Sequence, residues 1–210
     1  MSSHHIVRDE QEPALIIHRW DQFPFEKFGS LLEWSPTIVC CGPAMDQVLQ
    51  LGIKIDMAIV AFETRERYQQ LLADQAPLKL LSISQPDYLS NGLQLLSKEG
   101  HFAVNVITTS SMTPEVIDLC EQFASKLQIS VWDEEARHTL VTVSSFSKWF
   151  PEGVELEFYP LDASSDISIF LDQNSMVKDQ LFVKKTEGIV KVQCKHPPFV
   201  MVEKHLSSFL

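Results

Sequence analysis

The stretch Thr37-Ile38-Val39-Cys40-Cys41-Gly42-Pro43-Ala44, running on through Leu51-Gly52-Ile53-Lys54-Ile55-Asp56 to Met57-Ala58-Ile59-Val60-Ala61-Phe62, decides the fold. Two unbroken apolar runs, 37–41 and 56–62, flank an amphipathic segment at 44–51. Unbroken rather than alternating runs are the mark of parallel strands covered on both faces. Strand, helix and strand in that order make a right-handed crossover unit. The same rhythm extends on both sides. Apolar runs at 14–17, 78–83, 102–107 and 129–132 alternate with helical patterns near 25–34, 63–74, 91–98 and 114–127. The last pattern has Thr113 to cap it, Pro114 at the first helical position and Glu115 at the positive end. Val116, Leu119, Cys120, Phe123 and Leu127 then form one apolar stripe.

After about residue 133 the rhythm changes. Runs at 140–143, 154–159, 167–171, 181–183, 189–193 and 199–202 are short and closely spaced, and several alternate, as in Val154-Glu155-Leu156-Glu157-Phe158. Turn signals such as Pro151-Glu152-Gly153 and His196-Pro197-Pro198 separate them, with no room for a helix. The reading is an α/β domain over 1–135, a parallel sheet flanked by helices in a Rossmann-like three-layer arrangement. An all-β sandwich domain over 136–210 follows it. No helix of three or more turns is expected after Gly153.

Composition agrees with a globular chain: 210 residues, 45 % hydrophobic and 21 % charged. Seventeen Lys and Arg against 28 Asp and Glu give a net charge of −11, which disfavours a phosphate backbone as partner. No run is long enough to span a bilayer, and the start has no apolar core behind a basic head. The expectation is a cytoplasmic protein that binds neither nucleic acid nor membrane. Cys40, Cys41, Cys120 and Cys194 have neither metal nor disulfide-scaffold spacing and read as reduced core residues.

In an open parallel sheet, ligands bind outside the carboxyl ends of the strands. The loops of interest are therefore Gly42-Pro43-Ala44, Glu63-Thr64-Arg65, Ser84-Gln85-Pro86-Asp87 and Thr108-Thr109-Ser110-Ser111. The last could hold a phosphate at a helix start; the plainer reading makes Thr113 a helix cap. Lys184 and Lys185 could pair with phosphates, although two lysines on a surface hairpin are the commoner case. His138 and His196 read as solvated loop residues. No G-x-G-x-x-G, P-loop, G-x-S-x-G or H-E-x-x-H is present.

The stretch Cys41-Gly42-Pro43-Ala44 through Leu51-Gly52-Ile53-Lys54-Ile55-Asp56 to Phe62-Glu63-Thr64 resembles the thiamine pyrophosphokinase family. That family carries a D-G-G-A turn, a helix ending L-G-I-K-P-D and a strand ending G-D-F-D-S. Val131-Trp132-Asp133-Glu134 and Gly153–Leu161 resemble its passage into a C-terminal sandwich, so the likeness spans nearly the whole chain. It implies a homodimer that uses ATP and Mg²⁺ to convert thiamine to thiamine diphosphate. On it, Glu63 and Asp87 are the catalytic and metal-holding acids, and Gly42, Thr108, Thr109, Ser110 and Ser111 take the nucleotide. Lys184, Lys185 and Thr186 take the substrate.

The chemistry departs from that pattern. Cys41, Ala61, Leu89 and Ser90 stand where the family has carboxylates or a hydroxyl, and Glu63 stands for an aspartate. Asp56 matches the family but starts its strand and reads as a turn residue. Hard Mg²⁺ needs carboxylate oxygens, so two readings follow: a divergent transferase, or a non-catalytic small-molecule-binding or regulatory homodimer on the same scaffold.

Overall fold

Strand β1 (Ala14–Ile17) is buried at every residue, and so is β2 (Ile38–Cys41). A strand with no face left for water must have helices on both sides. The computed structural model describes residues 12–162, 166–171, 175–177, 181–184 and 186–205. It divides into two units, Met1–Leu119 with Lys126–Glu134, and Cys120–Ser125 with Glu135–Leu210. The early runs form β1, β2, β3 (Met57–Ala61), β4 (Lys79–Ile83), β5 (Ala103–Ile107) and β6 (Gln128–Trp132). They lie in the order β6-β5-β1-β2-β3-β4, each neighbouring pair parallel.

Three helices cover one face. Phe28 of α1 (Phe25–Leu32), Met45 and Val48 of α2 (Gly42–Gln50) and Tyr68 of α3 (Arg65–Leu71) pack with Leu15, Ile17, Cys40 and Val60. The alternate residues of the same strands point to the other face. There α4 (Tyr88–Lys98) buries Leu89, Leu93 and Leu96. Gly92 sets how closely α4 approaches: a Cβ there would lie 3.2 Å from Ile16 Cδ1 and 3.4 Å from Ile59 Cδ1.

The amino edge of the sheet is tied by Asp56. Its carboxylate accepts the Ile38 backbone N–H at 2.9 Å and the Lys54 ammonium at 2.6 Å. Its own backbone N–H donates to Ile38 O and its carbonyl accepts Lys79 N–H. One residue thus fixes the starts of β2, β3 and β4. Gly52, at φ +66, makes the preceding turn in a conformation that other residues rarely adopt.

In the second unit all pairing is antiparallel. One sheet runs β12 (Leu181–Lys184), β9 (Val154–Pro160), β14 (Phe199–His205) and β7 (Arg137–Val141). The other runs β11 (Ser175–Val177), β10 (Ile167–Leu171), β13 (Gly188–Cys194) and β8 (Ser145–Phe150). Alternate residues from both sheets make one core, with Leu156, Phe158, Phe199 and Met201 from the first and Phe150, Ile169, Val190 and Val192 from the second. Among the described residues after Gly153 every element is a strand.

Four sequence expectations are corrected. The helix of 114–127 is α5 (Thr113–Glu121), because Phe123 and Ala124 donate to Cys120 and Glu121 three residues back and tighten the chain into a turn. Strands β8 and β11 are additional. His138 lies half-buried within β7, opposite Val202, rather than in a loop. Lys184 is buried at the end of β12, opposite Val154, rather than on a surface hairpin. The chain start and Lys185 lie outside the described residues.

Inside the sandwich, Lys148 donates to both carboxylate oxygens of buried Glu203, at 2.7 and 2.8 Å. Burial lowers the Lys148 pKa, while the Glu203 partner works to raise it. Removing Glu203 strands a half-buried ammonium. Glu203→Ala is expected to cost about 2 kcal/mol in urea unfolding, between the surface and fully buried cases. The double variant Lys148→Met with Glu203→Leu should recover most of that loss, since an apolar pair needs no compensation.

Candidate functional site

The loops that follow the strands of the first unit lie at the carboxyl edge of its sheet. The chain leaves β1 toward β2 on one side and returns as β5 on the other. The strand order reverses at β1, the kind of switch point beside which open parallel sheets place a ligand crevice, here between the loops after β1 and β5. His18 and Arg19 follow β1. Their backbone N–H groups both donate to Ile107 O, at 2.9 and 3.3 Å, which fixes them against the end of β5.

His18 is buried and sits 3.4 Å from the buried Thr108 hydroxyl through Nδ1. Burial, helped by the Arg19 charge, lowers its pKa from 6.5 to about 4, so the imidazole is neutral at pH 7. Arg19 is partly buried, and its Nε is buried with no hydrogen-bond partner. Its guanidinium also acts on Cys41 at the end of β2. Burial pushes that thiol up to about 12 and Arg19 only partly offsets it.

From β2 the chain turns directly into α2 at Gly42. The first turn of α2 has Pro43, no acidic residue and no side-chain cap. The space beside Gly42 is taken by Tyr88, whose Cε1 would lie 3.2 Å from an added Cβ. Glu63 stands exposed in the 3-10 turn Phe62–Thr64 after β3, on an open groove of about 540 Å³ with Phe62, Arg65, Glu66 and Gln69. Asp87 stands exposed before α4, its carbonyl accepting the Asn91 backbone and side-chain N–H groups.

The Thr108-Thr109-Ser110-Ser111 loop follows β5. Both the backbone N–H and the hydroxyl of Ser110 donate to one oxygen of Glu134. Thr109 and Ser111 pair through their hydroxyls at 3.1 Å. The Thr113 hydroxyl donates to buried Asp133 at 2.9 Å. A carboxylate therefore already occupies both donors of Ser110. In the second unit, Lys184 is buried and Thr186 exposed.

Comparison of the sequence with protein-family models finds no match, and comparison with curated proteins finds none. The backbone does match solved structures. Thiamine pyrophosphokinase from Bacillus subtilis superposes with TM-score 0.71 at 9 % identity, covering 92 % of this chain and 99 % of that one. The enzyme from Geobacillus thermodenitrificans gives 0.71 at 10 %, covering 94 % and 99 %. Yeast thiamine pyrophosphokinase gives 0.63 at 10 %, covering 98 % and 91 %. The chain has the thiamine pyrophosphokinase fold.

Of the positions the resemblance points to for Mg²⁺, only Glu63 and Asp87 offer carboxylate oxygens. Cys41 is a neutral buried thiol, Ala61 has no ligand atom, and Ser90 lies within α4. Glu63 and Asp87 stand on separate turns. Among the described residues no group of three or more His, Cys, Asp or Glu side chains is placed to hold a metal ion. Among them, too, no helix is long and apolar enough to cross a membrane.

Sequence reasoning passed over His18 and Arg19, and it read Asp133 and Glu134 only as part of the passage into the sandwich. The available signal was His18-Arg19, an imidazole and a cation directly after the buried run 14–17 in an acidic chain. The neutral His18 has a consequence for stability. Its folded pKa lies below 6.5, so between about pH 6.5 and 4 the unfolded chain binds more protons and stability falls as pH falls. The loss attributable to His18 is about 3 kcal/mol by pH 4. Urea unfolding of the protein and of His18→Gln at pH 7 and pH 4.5 should show a smaller acid loss in the variant.

Proposed function

We propose that the chain is a thiamine pyrophosphokinase-like binding protein. It takes a small molecule of the nucleotide or thiamine class on its α/β unit, and it does not transfer pyrophosphate from ATP to thiamine at an enzymatic rate. The observation that carries this reading is Cys41. At a position where the resemblance calls for a carboxylate, the chain has a thiol whose pKa is raised to about 12. Pyrophosphoryl transfer depends on neutralising phosphate charge as it moves. A neutral thiol, an alanine at 61 and a serine at 90 supply no anchor for the metal that would do so.

The second reading is a divergent transferase making AMP and thiamine diphosphate. It rests on Glu63 and Asp87, with Gly42 and the Thr108–Ser111 loop at the nucleotide and Lys184, Lys185 and Thr186 at the substrate. On either reading the assembly is a homodimer, as the resemblance implies. The four free, buried cysteines support a reducing, cytoplasmic setting.

Purified protein with Mg²⁺, ATP and thiamine should form AMP far more slowly than about 1 s⁻¹, the lower end of ordinary turnover. Any slow formation should vanish in Glu63→Gln or Asp87→Asn if it belongs to this site. Turnover of 1 s⁻¹ or faster would establish the second reading instead. Light scattering should return twice the 23.9 kDa chain mass at micromolar concentration.

A further inference from the structure

Charge at the carboxyl edge of the parallel sheet differs between the two sides of β1, with the exposed acids Glu63 and Asp87 further out, after β3 and before α4. At the β6 and β5 end stand Asp133 and Glu134, the latter holding Ser110. At the β1 and β2 end stand Arg19 and the uncapped first turn of α2, where no acidic residue lies. Among the described residues Arg19 makes no side-chain hydrogen bond or ion pair, and its Nε is shut away from water. A buried guanidinium N–H without an acceptor carries a desolvation cost that an anion would relieve. The two titratable groups on which its charge acts do not supply one. His18 is neutral, and Cys41 keeps its proton.

A metal-dependent phosphate site needs negative charge at this edge. Here the acid implied at position 41 is gone, and a cation stands beside the gap.

We propose that Arg19 is the anion-recognising group of the crevice at the end of β1, and that the crevice takes a phosphate-bearing small molecule directly, without a divalent metal. The guanidinium offers a planar fork of N–H donors that matches two phosphate oxygens. The first turn of α2, which has no side-chain cap, lies at the end of the adjacent strand and adds a favourable dipole. The anion seats on the β1–β2 side of the crevice, away from Glu134. This inference rests on the binding-protein reading and adds to it the ligand chemistry and the residue that recognises it.

The test is calorimetry on the full chain with inorganic pyrophosphate, AMP and thiamine monophosphate, each in EDTA and again with Mg²⁺. At least one should bind in EDTA, and Mg²⁺ should weaken or leave unchanged its affinity. Tighter binding of AMP assigns the phosphate to a nucleotide, and tighter binding of thiamine monophosphate assigns it to a thiamine ester. Arg19→Gln should weaken that binding about tenfold or more, while Arg19→Lys keeps part of it. Thermal unfolding of each variant shows that the fold is intact. Should both variants unfold, protection of Arg19 by the same ligand against phenylglyoxal, read by mass spectrometry of the unaltered protein, takes their place. Binding that requires Mg²⁺, binding unchanged in Arg19→Gln, absence of protection, or no binding of any of the three overturns the proposal. AMP formation, measured separately, bears on the binding-protein reading alone, so the two can fail independently.

Discussion

Burial of β1 and β2 on both faces is the constraint from which the rest of the first unit follows. Every side chain along Ala14–Ile17 and Ile38–Cys41 is inside. Such strands cannot carry polar chemistry along their length, because an unpaired polar group there would be costly. Charge is therefore expelled to the two ends. At the amino edge it becomes scaffold: Asp56 spends its carboxylate on Ile38 N–H and Lys54. At the carboxyl edge it faces the loops. That division explains how Asp56 can match a family pattern and still lie remote from the crevice.

The same constraint decides what was legible in the sequence. Unbroken apolar runs identified all six parallel strands to within a residue or so; burial is two-sided in β1 and β2, while in β4, at the sheet edge, the run is apolar although Lys79 and Leu81 are exposed. The sandwich was harder. In β8 the inward positions are Phe146, Lys148 and Phe150. A lysine in the middle of the core face breaks the alternation, and only its pairing with Glu203, 55 residues away, makes it tolerable. Lys184 misled for a related reason: burial of a long amphipathic side chain depends on partner strands that local pattern does not reveal.

The loops were legible as a set, but their roles were not. That Glu63 and Asp87 sit beyond strand ends follows from counting strands. That Arg19 stands at the crevice depends on β5 returning beside β1 rather than beyond β4, a pairing across about 90 residues. Likewise the Thr108–Ser111 loop reads as a phosphate cradle until Glu134 is brought to it from the end of β6. Non-local pairing also separates fold from function here. The backbone fold matches the solved pyrophosphokinases at 9–10 % identity, and a shared fold does not fix the chemistry of the rim.

The paired thiols of β2 have a use of their own. Cys40 and Cys41 point to opposite faces of the sheet, so they cannot bridge, and burial raises both pKa values. Cys120 in α5 is likewise buried with its thiol pushed up to about 12. In the closed protein these sulfurs are hidden from alkylating reagents and lack the thiolate that reacts. Their rate of labelling measures how often the surrounding backbone opens. The sequence thus carries native reporters at the centre of the sheet and on a flanking helix, and a single mass-spectrometric time course would rank the local opening of the two without any engineered probe.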